Sequence, residues 1–222
     1  MGYLLLVIPV IVIIIIFRTY TFVPNEFPRM KKEHDINEEH AIDSLSKMVQ
    51  FKTISNQDES KIDRDEFIKF QRFLVQRYPK IHEVATLQTF NLGLLYKIAG
   101  ESSEDPTVLM AHYDVVPING VWKEDPFSGR IDEQTVYGRG TLDTKSSLNA
   151  ILEALEHALI HGKQFRRDLY LAFGGDEETY GSSQQEIVQY FKDQRIKPFI
   201  VLDEGGAIVS NIFPGVTRKS AV

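Results

Sequence analysis

Hydrophobic and polar positions divide the chain into two parts. Residues Tyr3–Phe17 are apolar without interruption, whereas from about residue 36 onward apolar positions recur at the spacings of helices and strands. We predict a signal-anchor or transmembrane helix over residues 1–23, in contact with a membrane through residues 3–23, and a polar linker over residues 24–35. A cleaved signal peptide is the alternative, although the basic and small flanking residues of such peptides are missing. Either interpretation predicts a membrane-anchored protein or one in the secretory or vacuolar pathway.

The pattern beyond residue 36 predicts two helices, a hairpin, and then an alternation of strands and helices. The helices are expected to begin after Asn37 and Asp63, the second to end at Pro79, and the hairpin to turn at residues 91–93. Further strands are predicted at residues 107–111, 169–173 and 199–202, and further helices at residues 148–159 and 184–191. This alternation predicts an α/β fold, a three-layer sandwich around a mostly parallel sheet.

The overall composition excludes several kinds of site. The chain has 222 residues, with 31 acidic and 25 basic side chains and a net charge of −6, so we expect no nucleic acid partner. There is no cysteine, which excludes disulfides, thiolate metal ligands and a cysteine nucleophile. Any metal site must therefore be built from His, Asp and Glu.

Acidic residues follow the predicted strands of the α/β region. His112 and Asp114 come after the first of these strands, in HYDVVP, and residues 176–178 follow the second, in GGDEE. Asp203 follows the third, in DEGG, and Asp143 precedes a helix, in GRGTLDTK. Because loops at the carboxyl ends of the strands of an open α/β sheet meet in one crevice, we expect these side chains to lie together.

One imidazole among several carboxylates indicates a divalent metal site. Crowded carboxylates raise one another's pKa values unless a cation neutralises them. A ligand set of imidazole and carboxylate without thiolate suits zinc, and also cobalt or manganese. A carboxylate can also bridge two ions about 3.5–4 Å apart, an arrangement that activates water and polarises a carbonyl.

Five motifs together resemble those of one enzyme family. HYDVVP, WKEDPFSG, YGRGTLDTK, GGDEE and DEGG are similar, in order and spacing, to the di-zinc metallopeptidases that include aminoacylases, acetylornithine and succinyl-diaminopimelate deacylases and Gly-X carboxypeptidases. The branch of Gly-X carboxypeptidases and N-acyl amino acid hydrolases is the most similar. The resemblance implies a zinc-dependent hydrolase that cleaves an amide bond next to a free carboxylate, in a small peptide or an N-acyl amino acid. An amino-acid deacetylase or desuccinylase is the alternative.

The resemblance also implies roles for single residues. The ligands of two zinc ions in a complete site would be His112, Asp143, Glu178 and Asp203. Asp143 would bridge the ions, and the peptide bond after it would be cis. Glu177 would be the general base that takes a proton from the activated water and passes it to the leaving amine. Asp114 would orient the ring of His112.

Members of this family continue beyond the region that matches this chain. They have an inserted lid or dimerisation domain and a second half that brings a further histidine ligand. We therefore expect residues 36–222 to be the N-terminal part of the catalytic domain, with any homodimer formed through the lid. By ligand count the chain alone would bind about one zinc weakly and be inactive. A truncated, non-catalytic fragment is the alternative to an enzyme.

Overall fold

The structure is a computed structural model with two compact units. The units are residues 1–35 and residues 36–222. The residues that the structure describes are 4–22, 35–133, 135–205, 208–209 and 220–221.

The first unit contains one described helix, α1 (Leu4–Thr21), with Arg18 in its last turn. Its 18 residues rise about 27 Å, which is less than the ~30 Å hydrocarbon core of a bilayer. Among the described residues, no helix is long and apolar enough to cross a membrane. The predicted membrane segment at residues 3–23, and the location deduced from it, are therefore wrong. The predicted linker at residues 24–35 lies outside the described residues except for Asp35.

The second unit is built on a five-stranded sheet. The helices described in this unit are α2 (Glu38–Gln50), α3 (Arg64–Arg77), α4 (Pro79–Val84), α5 (Ser146–Ile160) and α6 (Ser182–Asp193). The strands of the sheet are β1 (Thr86–Phe90), β2 (Gly93–Ile98), β3 (Ser102–His112), β6 (Arg167–Gly174) and β7 (Ile200–Leu202), and their order in the sheet is β1-β2-β6-β3-β7. Two further two-stranded antiparallel sheets pair β4 (Ile131–Asp132) with β5 (Thr135–Val136), and β8 (Ile208–Val209) with β9 (Ser220–Ala221).

The sheet is mixed: four of its five strands run in one direction, and β2 runs against them. β3 pairs in parallel with β6 and β7, but β2 pairs antiparallel with both β1 and β6. The hairpin of β1 and β2 turns at Asn91, whose φ is 49°. A hairpin needs no crossover helix, so it can extend a parallel sheet in the antiparallel sense.

Helices cover both faces of the sheet. Alternate residues of a strand point to opposite faces, and β6 follows this rule: Leu171 and Phe173 join the core beneath α2, α3, α4 and α5. Tyr170 and Ala172 join a second core with Ile187 of α6. The three layers of helix, sheet and helix thus agree with the predicted α/β fold.

The starts of two helices were predictable from their capping residues. Asn37 accepts a hydrogen bond from the backbone N–H of His40, and Asp63 accepts one from Asp65. Both satisfy backbone donors that have no partner inside the helix. Pro79, in contrast, does not end α3, which stops at Arg77; it is the first residue of α4, a position that proline favours.

The parallel strands bring three loops to one edge of the sheet. β3 ends at His112, opposite Gly174 at the end of β6. β7 runs parallel to β3 and ends at Leu202. The acidic segments that follow these strands therefore leave the sheet at the same edge, as the sequence predicts.

Candidate metal centre

His112 is held on one side of its ring and faces carboxylates on the other. Its side chain is only 2% exposed. Nδ1 lies 3.1 Å from the carbonyl oxygen of Asp114 and 3.4 Å from that residue's carboxylate, while Nε2 lies 3.0 Å from Oδ1 of Asp143. A proton on Nδ1, donated to the Asp114 carbonyl, leaves the lone pair of Nε2 free to bind a metal ion.

Asp114 makes contacts that the sequence did not predict. Its carboxylate is fully buried and accepts hydrogen bonds from the backbone N–H groups of Glu177 and Glu178, each at 3.1 Å. The nearer contact to His112 comes from the Asp114 carbonyl oxygen. Asp114 therefore fixes the two glutamates through their backbone as well as facing the histidine ring.

The glutamates lie on a loop that is anchored at both ends. Asp176, just before them, accepts hydrogen bonds from the hydroxyls of Ser182 and Ser183 and from the backbone N–H of Ser183 at the start of α6. At Gly175 an added Cβ would lie 2.4 Å from the carbonyl oxygen of Leu92, so only glycine fits this close approach. The backbone that presents Glu177 and Glu178 is thus set by buried neighbours.

Asp143 lies on an irregular turn, Thr141–Lys145, directly before α5. The turn follows Gly140, whose φ of 83° suits glycine and where a Cβ would lie 2.6 Å from Cγ1 of Val115. The peptide bond between Asp143 and Thr144 is cis, as expected. The Asp143 side chain is 66% exposed and reaches His112 from the solvent side.

Two groups of side chains among the described residues could hold a metal ion. One consists of His112, Asp143 and Glu178, and the other of His112, Glu177 and Glu204; within each group, one ligand atom per residue lies within 4.8 Å of the others. The Nε2 atom of His112 is 3.8 Å from a carboxylate oxygen of Glu177 and 3.7 Å from one of Glu204.

The predicted ligand Asp203 is not a member of either group. It lines the same cavity, of about 420 Å³, together with His112, Glu177 and Glu204. Its Oδ1 accepts a hydrogen bond from the backbone N–H of Glu204. Glu204, the second acidic residue of DEGG, was not a predicted ligand, because the motif alone does not say which of its two carboxylates turns toward the histidine.

The electrostatics of this cluster fit a cation. Burial disfavours the charged form of His112, but the carboxylates of Asp114, Asp143 and Glu177 outweigh this effect and raise its pKa to about 9. Burial, together with neighbouring carboxylates, raises the pKa values of Glu177 and Glu178. One imidazole surrounded by carboxylates is a donor set for a divalent ion, whose charge would offset this repulsion.

The sequence is similar to curated hydrolases. Residues 108–217 match the sequence model of Peptidase family M20/M25/M40. The chain is 40% identical over 186 residues to "Probable carboxypeptidase S-like 2" of Dictyostelium discoideum, covering 80% of this chain and 36% of that protein. It is 32% identical over 241 residues to "N-fatty-acyl-amino acid synthase/hydrolase PM20D1.1" of Danio rerio, covering 99% of this chain and 45% of that protein. The chain thus spans less than half the length of these relatives.

The fold is shared with a solved structure. The crystal structure of human carnosine dipeptidase 1 is similar with a TM-score of 0.66 and 17% sequence identity, covering 79% of this chain and 40% of that chain. At this identity the likeness concerns the fold alone. The matched motifs, the sequence relatives and the common fold agree: this chain contains a domain of Peptidase family M20/M25/M40.

Proposed function

We propose that this site serves a metal-dependent hydrolase that cleaves an amide bond next to a free carboxylate. The observation that carries the proposal is the setting of His112. Its Nδ1 is held by Asp114, and its Nε2 lies 3.0 Å from Asp143 and within 4 Å of Glu177 and Glu204. A buried imidazole with its free nitrogen among carboxylates is typical of a metal centre.

The residues that would hold the metal are those that the motifs indicate. His112, Asp143, Glu178 and Asp203 are the proposed ligands, and zinc is the proposed ion. When bound, a divalent ion supplies a Lewis acid for the scissile carbonyl and lowers the pKa of water. Glu204, the acidic neighbour of Asp203, is the competing ligand at the third loop.

Glu177 is the proposed general base and acid. Its carboxylate is 45% exposed in the cavity, while its backbone N–H is fixed by the buried Asp114. Burial and the carboxylates of Glu204, Asp114 and Asp143 raise its pKa, against the lowering effect of His112. A raised pKa favours a carboxylate that first accepts a proton from water and then donates it to the leaving amine.

The proposed substrates are small peptides or N-acyl amino acids. The cavity beside His112 has a volume of about 420 Å³, within the range of small-molecule sites. The names of the relatives, a carboxypeptidase and an N-fatty-acyl-amino acid hydrolase, support substrates with a free carboxylate next to an amide. Deacetylation or desuccinylation of amino acids would use the same catalytic residues and is the second candidate.

The test measures metal binding and turnover separately. The metal-free chain is titrated with Zn²⁺, and hydrolysis of N-acyl amino acids and dipeptides is followed with zinc present. We expect wild type to bind zinc and His112→Gln to bind it at least tenfold more weakly. If His112→Gln bound zinc as tightly as wild type does, the proposed site would be refuted. Hydrolysis by wild type that is lost in Glu177→Gln would support the proposed activity, whereas zinc binding without hydrolysis of these substrates would refute that activity for this chain.

A further inference from the structure

Lys145 is a buried amine in the core, which is an unusual place for a lysine. It is 0% exposed and lies two residues after Asp143, at the end of the turn that carries this carboxylate. None of the ion pairs found among the described residues includes Lys145. Burying a lysine without an acidic partner is costly, so its presence at this position calls for a reason other than packing.

The amine of Lys145 binds the end of a neighbouring helix. Its Nζ donates hydrogen bonds to the carbonyl oxygens of Met48, at 3.0 Å, and Phe51, at 2.9 Å. Met48 lies in the last turn of α2 and Phe51 is the C-cap residue, whose backbone N–H also donates to the Met48 carbonyl at 3.3 Å, so the amine adds to the capping of this helix end. Both the charged and the neutral amine carry at least two N–H donors, so these two bonds do not depend on protonation.

The same residue also closes the turn that carries Asp143. The backbone N–H of Lys145 donates to the carbonyl oxygen of Gly140 at 2.9 Å. The lysine stem lies close to Gly140, because a Cβ added there would be in van der Waals contact with Cδ of Lys145, at 3.4 Å. Lys145 thus fixes the turn through its backbone and anchors it to α2 through its side chain.

Lys145 is also connected, through two aromatic rings, to the segment that carries His112. Its Nζ lies 5.3 Å from the ring centroid of Phe70, which stacks on Tyr113 with centroids 5.0 Å apart. Tyr113 stands between His112 and Asp114 in the chain, and its hydroxyl donates to the carbonyl oxygen of Leu92. The amine therefore contacts a ring that packs directly on Tyr113, the chain neighbour of His112.

We propose that Lys145 is a positioning residue for the metal centre: it ties the turn Thr141–Lys145 to the end of α2 and so holds Asp143 opposite His112. Asp143 is mostly exposed, so this anchor, not burial of the carboxylate itself, sets its place. The inference rests on the proposed function, because it assumes that Asp143 binds a metal ion.

The test compares Lys145→Met with a control that weakens the same helix elsewhere. Ser46→Ala removes a buried hydrogen bond from α2 to the carbonyl oxygen of Gly129 and leaves the turn untouched. For each chain, Co²⁺ affinity is measured by competition with a chelator, the visible absorption of bound Co²⁺ is recorded, and stability is measured by urea unfolding. We expect Lys145→Met to bind Co²⁺ at least tenfold more weakly with an altered spectrum, and Ser46→Ala to bind it as wild type does.

The chain has no cysteine, which permits a chemical rescue. Lys145→Cys can be aminoethylated in the unfolded state and refolded, which restores an amine at the length of lysine; we expect Co²⁺ affinity to return. Lys145→Gln, which keeps a polar amide but is too short to reach both carbonyls, replaces Lys145→Met if that variant does not fold. Wild-type Co²⁺ affinity in a folded Lys145 variant without the amine overturns the inference. Failure of wild type to bind Co²⁺ overturns the proposed function itself, and this inference with it.

Discussion

Asp114→Asn tests whether one buried carboxylate organises the metal centre through backbone contacts. Asparagine has nearly the same shape, but one carboxylate oxygen becomes an NH₂ group. Because Asp114 accepts N–H bonds from both Glu177 and Glu178, the new NH₂ group would face a donor and leave it unpaired. The substitution therefore breaks one of two bonds and weakens the other by removing the charge.

The size of the effect follows from these bonds. A hydrogen bond to a charged group contributes about 1.5–3 kcal/mol, and a buried donor without a partner costs about 1–3 kcal/mol. Removing one negative charge from beside Glu177 and Glu178 relieves some repulsion and opposes this loss. We expect the free energy of unfolding to fall by about 2–3 kcal/mol and the Zn²⁺ affinity to fall about 10- to 100-fold.

The assay needs a control that separates stability from metal binding. Asp168→Asn provides it, since Asp168 is also a buried acceptor, 3% exposed, bonded to Gly100 N–H at 2.9 Å and to Nζ of Lys97 at 2.8 Å. It lies at the start of β6, whereas the metal centre lies at its end. Urea unfolding should show both variants destabilised, and chelator competition should show only Asp114→Asn impaired in zinc binding. Equal zinc affinity in the two variants would refute the reasoning.

Three further predictions concern single carboxylates. Glu177→Gln should keep zinc and lose about 10²–10⁴-fold in turnover where turnover is measurable; near-normal hydrolysis with zinc bound would show that another group is the base. Asp203→Ala should weaken zinc binding more than Glu204→Gln does, as titrations of the two would show, and the reverse order would assign the ligand to Glu204. Burial alone would raise the pKa of Asp168, but bonds from Lys97 and the Gly100 N–H lower it below its ordinary value. The contribution of the ionised Asp168 to the free energy of unfolding is present above the unfolded pKa of about 3.9 and is lost as the pH falls through the lower folded value. Wild type should therefore lose more stability between pH 5 and pH 3 than Asp168→Asn does, as measured by urea unfolding at each pH. Equal losses in the two proteins would contradict this.

Local patterns predicted much of this fold because they act over a few residues. The capping side chains of Asn37 and Asp63 meet backbone groups two or three positions away, so their sequence context is sufficient to place the helix starts. The position of the β1–β2 hairpin in the sheet depends on pairing with β6, more than seventy residues away, and periodicity carries no information on that pairing. Pro79 was ambiguous for a related reason: proline suits the residue after one helix and the first residue of the next.

The parts of the candidate site that lie at strand ends were predictable from the sequence. The parts that depend on contacts between segments far apart in the chain were not. His112 and the loop after β6 follow directly from parallel strands that end at one edge. The choice between Asp203 and Glu204 depends on how the chain turns after β7, which two neighbouring acidic residues cannot indicate. The contacts of Lys145 with Met48 and Phe51 join segments more than ninety residues apart, and a lysine in a polar motif looks like a surface residue until the fold is known.

The bonds from Asp114 to the loop after β6 have a consequence for how this site can change. Asp114 binds the peptide groups of residues 177 and 178, and every residue type except proline offers the same N–H. The path of the loop therefore does not depend on which side chains residues 177 and 178 carry. A scaffold of this kind can exchange one reactive group for another at these two positions, and so acquire a new chemistry, without first having to acquire a new fold.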